Sequence, residues 1–251
     1  MNRDLYEKAE RLYEQEKYEA ALELFKALEP SNEVRNYIGC CYMRMKEFEK
    51  SARVFTELME KEPDWSRPVF NLGRTYLAMN EYNLAFEFLT AAADMDGDRD
   101  DAFFYRGLLY QTLEDYDSAI SDYQRSLEIN FSQPETHLNL GNCYDYEGLP
   151  EKAMEEYYSA IELDAGCAEG YFNIGRILMK RGQYTQAVRA FSECEKLLPN
   201  DVETIKKIVS CFCRLEDFES AKMWNEKLLL LCPDDEKVKR LHKKLCEKNE
   251  Y

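Results

Sequence analysis

The chain has 251 residues, 45% hydrophobic and 13% aromatic, with 18 Tyr and 13 Phe against ten Gly and seven Pro; this composition supplies a core and disfavours a β-rich or disordered chain. A formal net charge of −16 with a pI near 4.7 repels phosphate backbones and anionic headgroups, so neither nucleic acid nor membrane is an expected partner. The opening MNRDLYEKAE is rich in charge and no segment approaches a span of about 18 apolar residues, which predicts no secretory signal and no membrane anchor.

Residues 2–31 carry Leu5, Ala9, Leu12, Tyr18, Ala21, Phe25 and Leu28 at helical spacing, which predicts two amphipathic helices. From Asn32 the chain falls into successive rows, 32–65, 66–99, 100–133, 134–167, 168–201 and 202–233, with a period of 34 residues. Gly39, Gly73, Gly107, Gly141 and Gly175 share the eighth column of these rows. A glycine inside a helix costs about 1 kcal/mol relative to alanine. Five at one period therefore predict a repeated close contact between the two helices of a row, opposite the small twentieth column of Ser51, Ala85, Ala119, Ala153, Ala187 and Ala221. The twenty-fourth column is large: Phe55, Leu89, Tyr123, Tyr157 and Phe191, then Asn225. Pro63, Pro199 and Pro233 punctuate the rows. Beyond Pro233, residues 234–249 place Val238, Leu241 and Leu245 on one face, with acids first and bases last, as in a capping helix.

This pattern resembles the tetratricopeptide repeat, a 34-residue helix-turn-helix signature with large residues at columns 4, 7, 11 and 24 and small ones at 8 and 20. The resemblance covers residues 2 to 233. It implies an all-α, right-handed α-solenoid of about seven such repeats plus the capping helix, one superhelical domain over residues 1–251. Val209, Asn225 and Arg35 depart from the signature and bear on the tightness of the terminal contacts.

Nine cysteines, an odd number with no CxxC, predict free thiols in a reducing cytoplasm. Cys41, Cys143 and Cys211 share the tenth column and read as packing residues. With only His137 and His242 to complete a ligand set, neither metal nor cofactor is expected. The acidic stretch Asp94–Asp101 lacks the calcium-loop glutamate, Tyr105 standing in its place, and reads as loop acids that cap a helix. The GxSxG, HExxH and phosphate-loop motifs are missing, so an enzyme is not expected. Arg106 occupies a core column, and a buried guanidinium needs a partner; Asp122 on the next helix is the expected one.

When such hairpins stack, first-helix columns 2, 5, 6, 9, 12 and 13 line the inner, concave wall, which is the candidate peptide-binding surface. Asn71, Asn139 and Asn173 at column 6 and Asn142 at column 9 present side-chain amides suited to an extended backbone, with Arg74 beside them. Amide ladders of this kind grip peptides in related repeat proteins, and asparagine is also common there for packing. Arg176, Lys180, Lys206, Lys207 and Arg214, with Phe172, gather towards the C-terminal end. They favour an acidic segment or a C-terminal carboxylate, or else balance Glu169 and Glu203. Phe70, Phe104, Tyr105 and Leu108 add an apolar, aromatic stretch. The carboxylate clamp of chaperone-binding members needs bases and amides in three successive rows, which this chain lacks. The expected role is a non-catalytic scaffold binding a protein or peptide; the alternative is a self-assembling adaptor or the regulatory subunit of a larger complex.

Overall fold

The computed structural model describes residues 3–248, which fall in two compact units, Met1–Phe131 and Ser132–Tyr251. The expected start of the first row at residue 2 and end of the capping helix at residue 249 lie outside the described residues. The first unit holds α1 (Arg3–Glu14), α2 (Tyr18–Ala27), α3 (Asn32–Arg44), α4 (Phe48–Lys61), α5 (Ser66–Ala78), α6 (Tyr82–Met95), α7 (Asp100–Thr112) and α8 (Tyr116–Ile129). The second holds α9 (Pro134–Tyr146), α10 (Pro150–Leu163), α11 (Ala168–Lys180), α12 (Tyr184–Leu197), α13 (Val202–Arg214), α14 (Phe218–Leu231) and α15 (Glu236–Lys248). In each unit successive helices pair as antiparallel hairpins, and each second helix also packs on the first helix of the next hairpin. The fold is an all-α solenoid, and the described residues contain no strand.

The packing joint of each hairpin is a glycine against a large side chain. An added Cβ at Gly39, Gly107, Gly141 or Gly175 would lie 2.6, 2.9, 2.6 or 2.7 Å from the ring of Phe55, Tyr123, Tyr157 or Phe191, and at Gly73 it would lie 2.8 Å from Leu89. The glycine's nearest partner is therefore the large column and not, as the sequence suggests, the small one. The small column does a separate job: Ala85, Ala119, Ala153, Ala187 and Ala221 are fully buried, leaving room for the neighbouring backbone. Ser51 in that column is also fully buried, and its hydroxyl donates to the carbonyl of Gly39 at 3.0 Å.

The last hairpin exchanges both partners of the joint. Val209 replaces the glycine, and the side chain opposite shrinks to Asn225, itself fully buried. Asn225 Nδ2 donates to the carbonyl of Val238 in α15 at 3.2 Å. Val238 and Leu245 bury 96% or more of their surface, being 4% and 2% exposed, so α15 covers the end of the core as a polar-backed lid.

Every hairpin turn contains one residue in the left-handed region: Glu16, Lys46, Asn80, Glu114, Gly148, Gly182 and Glu216, with φ between 59° and 73°. These residues follow the first helix in all seven hairpins, where the chain must reverse within a few residues. The recurrence of Gly148, Gly182 and Asn80 in one column is the trace it leaves in the sequence.

Candidate functional site

On the first helices of the second unit, four of the five predicted basic residues are already engaged. Arg176 Nη2 donates to Asp145 Oδ2, and Lys180 Nζ stands 3.6 Å from Asp145 Oδ1. Lys206 lies 3.5 Å from Asp235 and Lys207 3.0 Å from Glu203. Backbone N–H groups of Lys237 and Val238, with help from Lys206, hold the Asp235 carboxyl below the usual carboxylate range. The reading in which bases balance the wall's own acids is right for Lys207 and Glu203. It extends to Asp145 and Asp235, which the sequence reading does not single out. Arg214 is exposed, Phe172 is half-buried with its ring 5.6 Å from that of Phe191, and Lys206 edges a cleft of ≈ 500 Å³ floored by Val209, Asn225 and Val238.

The asparagines form a ladder, but its rungs bond to one another. Asn173 Nδ2 donates to Asn142 Oδ1 at 2.9 Å, and the same oxygen accepts the Tyr157 hydroxyl at 2.8 Å. Asn142 Nδ2 points to Glu169 at 3.4 Å. Asn139 is half-buried. In the first unit, Asn71 Nδ2 donates to Asn36 Oδ1 at 2.9 Å. Asn71 and Asn173 are 4% and 7% exposed, so these amides tie adjacent rows together and present little surface to a ligand.

The aromatic stretch of the first unit is covered by cations. Phe70 and Phe104 are buried, and only Tyr105 and Leu108 reach the surface in part. The Arg74 guanidinium sits 5.3 Å from the Phe70 ring centroid and 4.5 Å from that of Tyr105, while Arg99 lies 5.2 Å from Phe70. The wall here is therefore guanidinium on aromatic and not an open apolar face. Arg99 is held by Asp96 and Asp101 at 3.6 and 3.3 Å. It occupies the N-cap of α7 without a side-chain cap, while Asp96 is the C-cap residue of α6 and Asp100 and Asp101 stand in the first turn of α7.

Arg106 and Asp122 form the expected ion pair, bidentate at 2.7 and 2.8 Å. The cysteines form no disulfide among the described residues. Cys41, Cys143 and Cys211 are fully buried, and burial pushes them up to about 12, 12 and 11. Among the described residues no group of three or more His, Cys, Asp or Glu side chains is placed to hold a metal ion, and no helix is long and apolar enough to cross a membrane.

Family models described as tetratricopeptide repeat match residues 67–99, 100–132, 134–167 and 168–201, more than half of the chain. No curated protein matches the sequence. Among solved structures, the C-terminal part of a repeat-containing protein from Cytophaga hutchinsonii superposes with a TM-score of 0.73 at 18% identity, covering 94% of this chain and 98% of that one. PilF of Pseudomonas aeruginosa gives 0.71 at 15% identity over 86% of this chain and 97% of its own. YrrB, titled a protein with an unusual peptide-binding site, gives 0.66 at 21% identity over 76% and 99%. At these identities the likeness is one of fold.

Proposed function

Because the chain belongs to the tetratricopeptide repeat family, we propose that it is a non-catalytic interaction scaffold whose first-helix walls hold a peptide or segment of a partner protein. The observation that carries this reading is the recurrence, row after row, of polar and cationic side chains on one helix face: Arg176, Lys180, Lys206 and Arg214 reach solvent in the second unit, with Phe172 beside them. Their acid partners Asp145 and Asp235 form partly exposed ion pairs, which are worth little and exchange readily for a ligand carboxylate. The wall thus suits an acidic segment or a free C-terminus. YrrB, of the same fold, is described as binding a peptide. Nine cysteines without a disulfide among the described residues fit a reducing compartment, the cytoplasm.

A photo-crosslinking side chain in place of Phe172 tests the reading. It is expected to capture a partner chain that the same probe at Tyr158, on the second helix α10, does not. Reversal of Arg176, Lys206 and Lys207 to glutamate removes that capture. A crosslink unchanged by the triple reversal counts against the basic wall.

Self-assembly is the second reading, favoured by Met223 and Leu230 on α14, 59% and 84% exposed. Light scattering over a wide concentration range separates it, since a strict monomer sinks it.

A further inference from the structure

Three wall arginines of the first unit differ from Arg176 and Lys206 of the second, each of which faces an acid. Arg44 at the end of α3 and Arg67 at the start of α5 are exposed, and Arg74 is half-buried. Among the described residues none of the three forms an ion pair. Stacking on Tyr105 and Phe70 fixes the direction of Arg74, and its Nε is buried with no hydrogen-bond partner. Arg67 and Arg74 stand seven residues apart on one face of α5, and the charges of Arg74, Arg67 and Arg44 all act on the Cys40 thiol, pulling it down against the burial that pushes it up to about 11. The acids nearby have other partners. Asp101 is bound by Arg99 at 3.3 Å, and Glu10 accepts the Tyr37 hydroxyl at 2.9 Å. All three arginines stand at wall columns of their rows: 13 for Arg44, 2 for Arg67 and 9 for Arg74.

Resting on the reading that the first-helix walls hold a partner segment, we propose that Arg44, Arg67 and Arg74 are the anchor for the carboxylates of an acidic partner peptide, ahead of the basic residues of the second unit. A guanidinium fork matches a carboxylate bidentately, and one that is not already paired loses no internal ion pair when the ligand arrives. The charge of the whole chain then sets selectivity. Fields are screened beyond about 8 Å at physiological salt, so a short peptide feels the local arginines. A long polyanion such as RNA extends over a surface of net charge −16 and is repelled.

The test is fluorescence polarisation on the full chain with a labelled oligoglutamate peptide and, in parallel, a single-stranded RNA oligonucleotide of equal charge. The peptide is expected to bind saturably, Arg44→Glu and Arg67→Glu each to weaken it about tenfold, and Arg53→Glu, exposed on the second helix α4 away from the first-helix wall, to change it by less than about twofold. Both arginines are exposed, so these variants keep the fold, which circular dichroism checks independently of the more deeply packed Arg74→Gln. Peptide affinity unmoved by Arg44→Glu and Arg67→Glu overturns the proposal, as does tighter binding of the RNA. If Arg176→Glu and Lys206→Glu abolish binding instead, the anchor lies in the second unit, and the scaffold reading survives while this one fails. If the wild type binds no peptide at all, the acidic anchor is wrong, and the crosslink at Phe172 decides the scaffold reading separately.

Discussion

Arg106 donates through Nε and Nη2 to both carboxylate oxygens of Asp122, at 2.7 and 2.8 Å, and so ties α7 to α8 within one hairpin. The side chains are 16% and 8% exposed, so neither charge has water to fall back on. Arg106→Leu strands the Asp122 carboxylate and is expected to cost about 3 kcal/mol of unfolding free energy. The double change Arg106→Leu with Asp122→Leu should recover most of that loss, because an apolar pair fills the same space without desolvated charge. Urea unfolding of the two single variants and the double variant checks the coupling. Equal destabilisation in all three denies it.

The left-handed residue of each turn predicts a gain. Glu114, with φ 60°, has no glycine's freedom there, and a left-handed conformation costs an ordinary residue about 1 kcal/mol. Glu114→Gly is expected to raise stability by up to that amount, less the extra entropy of the unfolded chain. Gly148→Ala, at φ 71° in open space, should lower it by a similar amount. Thermal melts of both variants settle the sign.

Space decides the glycines at the joint. A Cβ at Gly141 would lie 2.6 Å from the Tyr157 ring and 3.2 Å from the backbone oxygen of Ala153, and the oxygen cannot swing away. Gly141→Ala is expected to cost about 2 kcal/mol by overpacking. Gly97→Ala, with no neighbour within 4 Å, should be close to neutral. A gain at Gly141, the sign that helix propensity alone gives, would show that the ring yields and does not govern the column.

Buried thiols make the fold sensitive to alkali. Cys40 and Cys211 are pushed from 9.0 up to about 11, and Cys41 and Cys143 to about 12, by burial. A folded pKa above the unfolded one means the unfolded chain releases the proton first. The stabilisation is therefore complete below pH 9.0 and is lost as pH rises through the 11–12 window. Denaturant midpoints measured from neutral pH upward should fall in that range, and Cys41→Ala should reduce the slope. In the native protein at neutral pH, iodoacetamide is expected to spare Cys40, Cys41, Cys143, Cys194 and Cys211, which mass spectrometry reads directly.

The helices, their pairing and the core columns were legible because each is a property of spacing, and Gly39 to Gly175 repeat that spacing five times. Arg106 could be matched to Asp122 for a related reason: a charge in an apolar column leaves few partners within reach. What the wall offers a ligand was harder to read, since it depends on which side chains already bind each other. Asn173 and Asn142 look alike as candidate grips, yet their amides meet at 2.9 Å, a contact between neighbouring rows that no single row displays. Lysine density drew attention to the C-terminal rows, while Asp145 and Asp235, which occupy those cations, sit one row earlier and beyond the last row. Arg44 and Arg67 stood at wall columns throughout, and only the lack of an ion pair among the described residues distinguishes them.

The exchange of glycine and ring for Val209 and Asn225 also bears on how such a chain can lengthen. Rows that carry a glycine facing a large side chain each close on the same joint within the hairpin. A tandem duplication of residues 168–201 would therefore add a hairpin that closes as its neighbours do. The final row has filled that slot with a branched side chain and committed its amide to α15. A copy of residues 202–233 would carry an amide that needs a helix such as α15 beside it, so this row is the one that duplication repeats least readily.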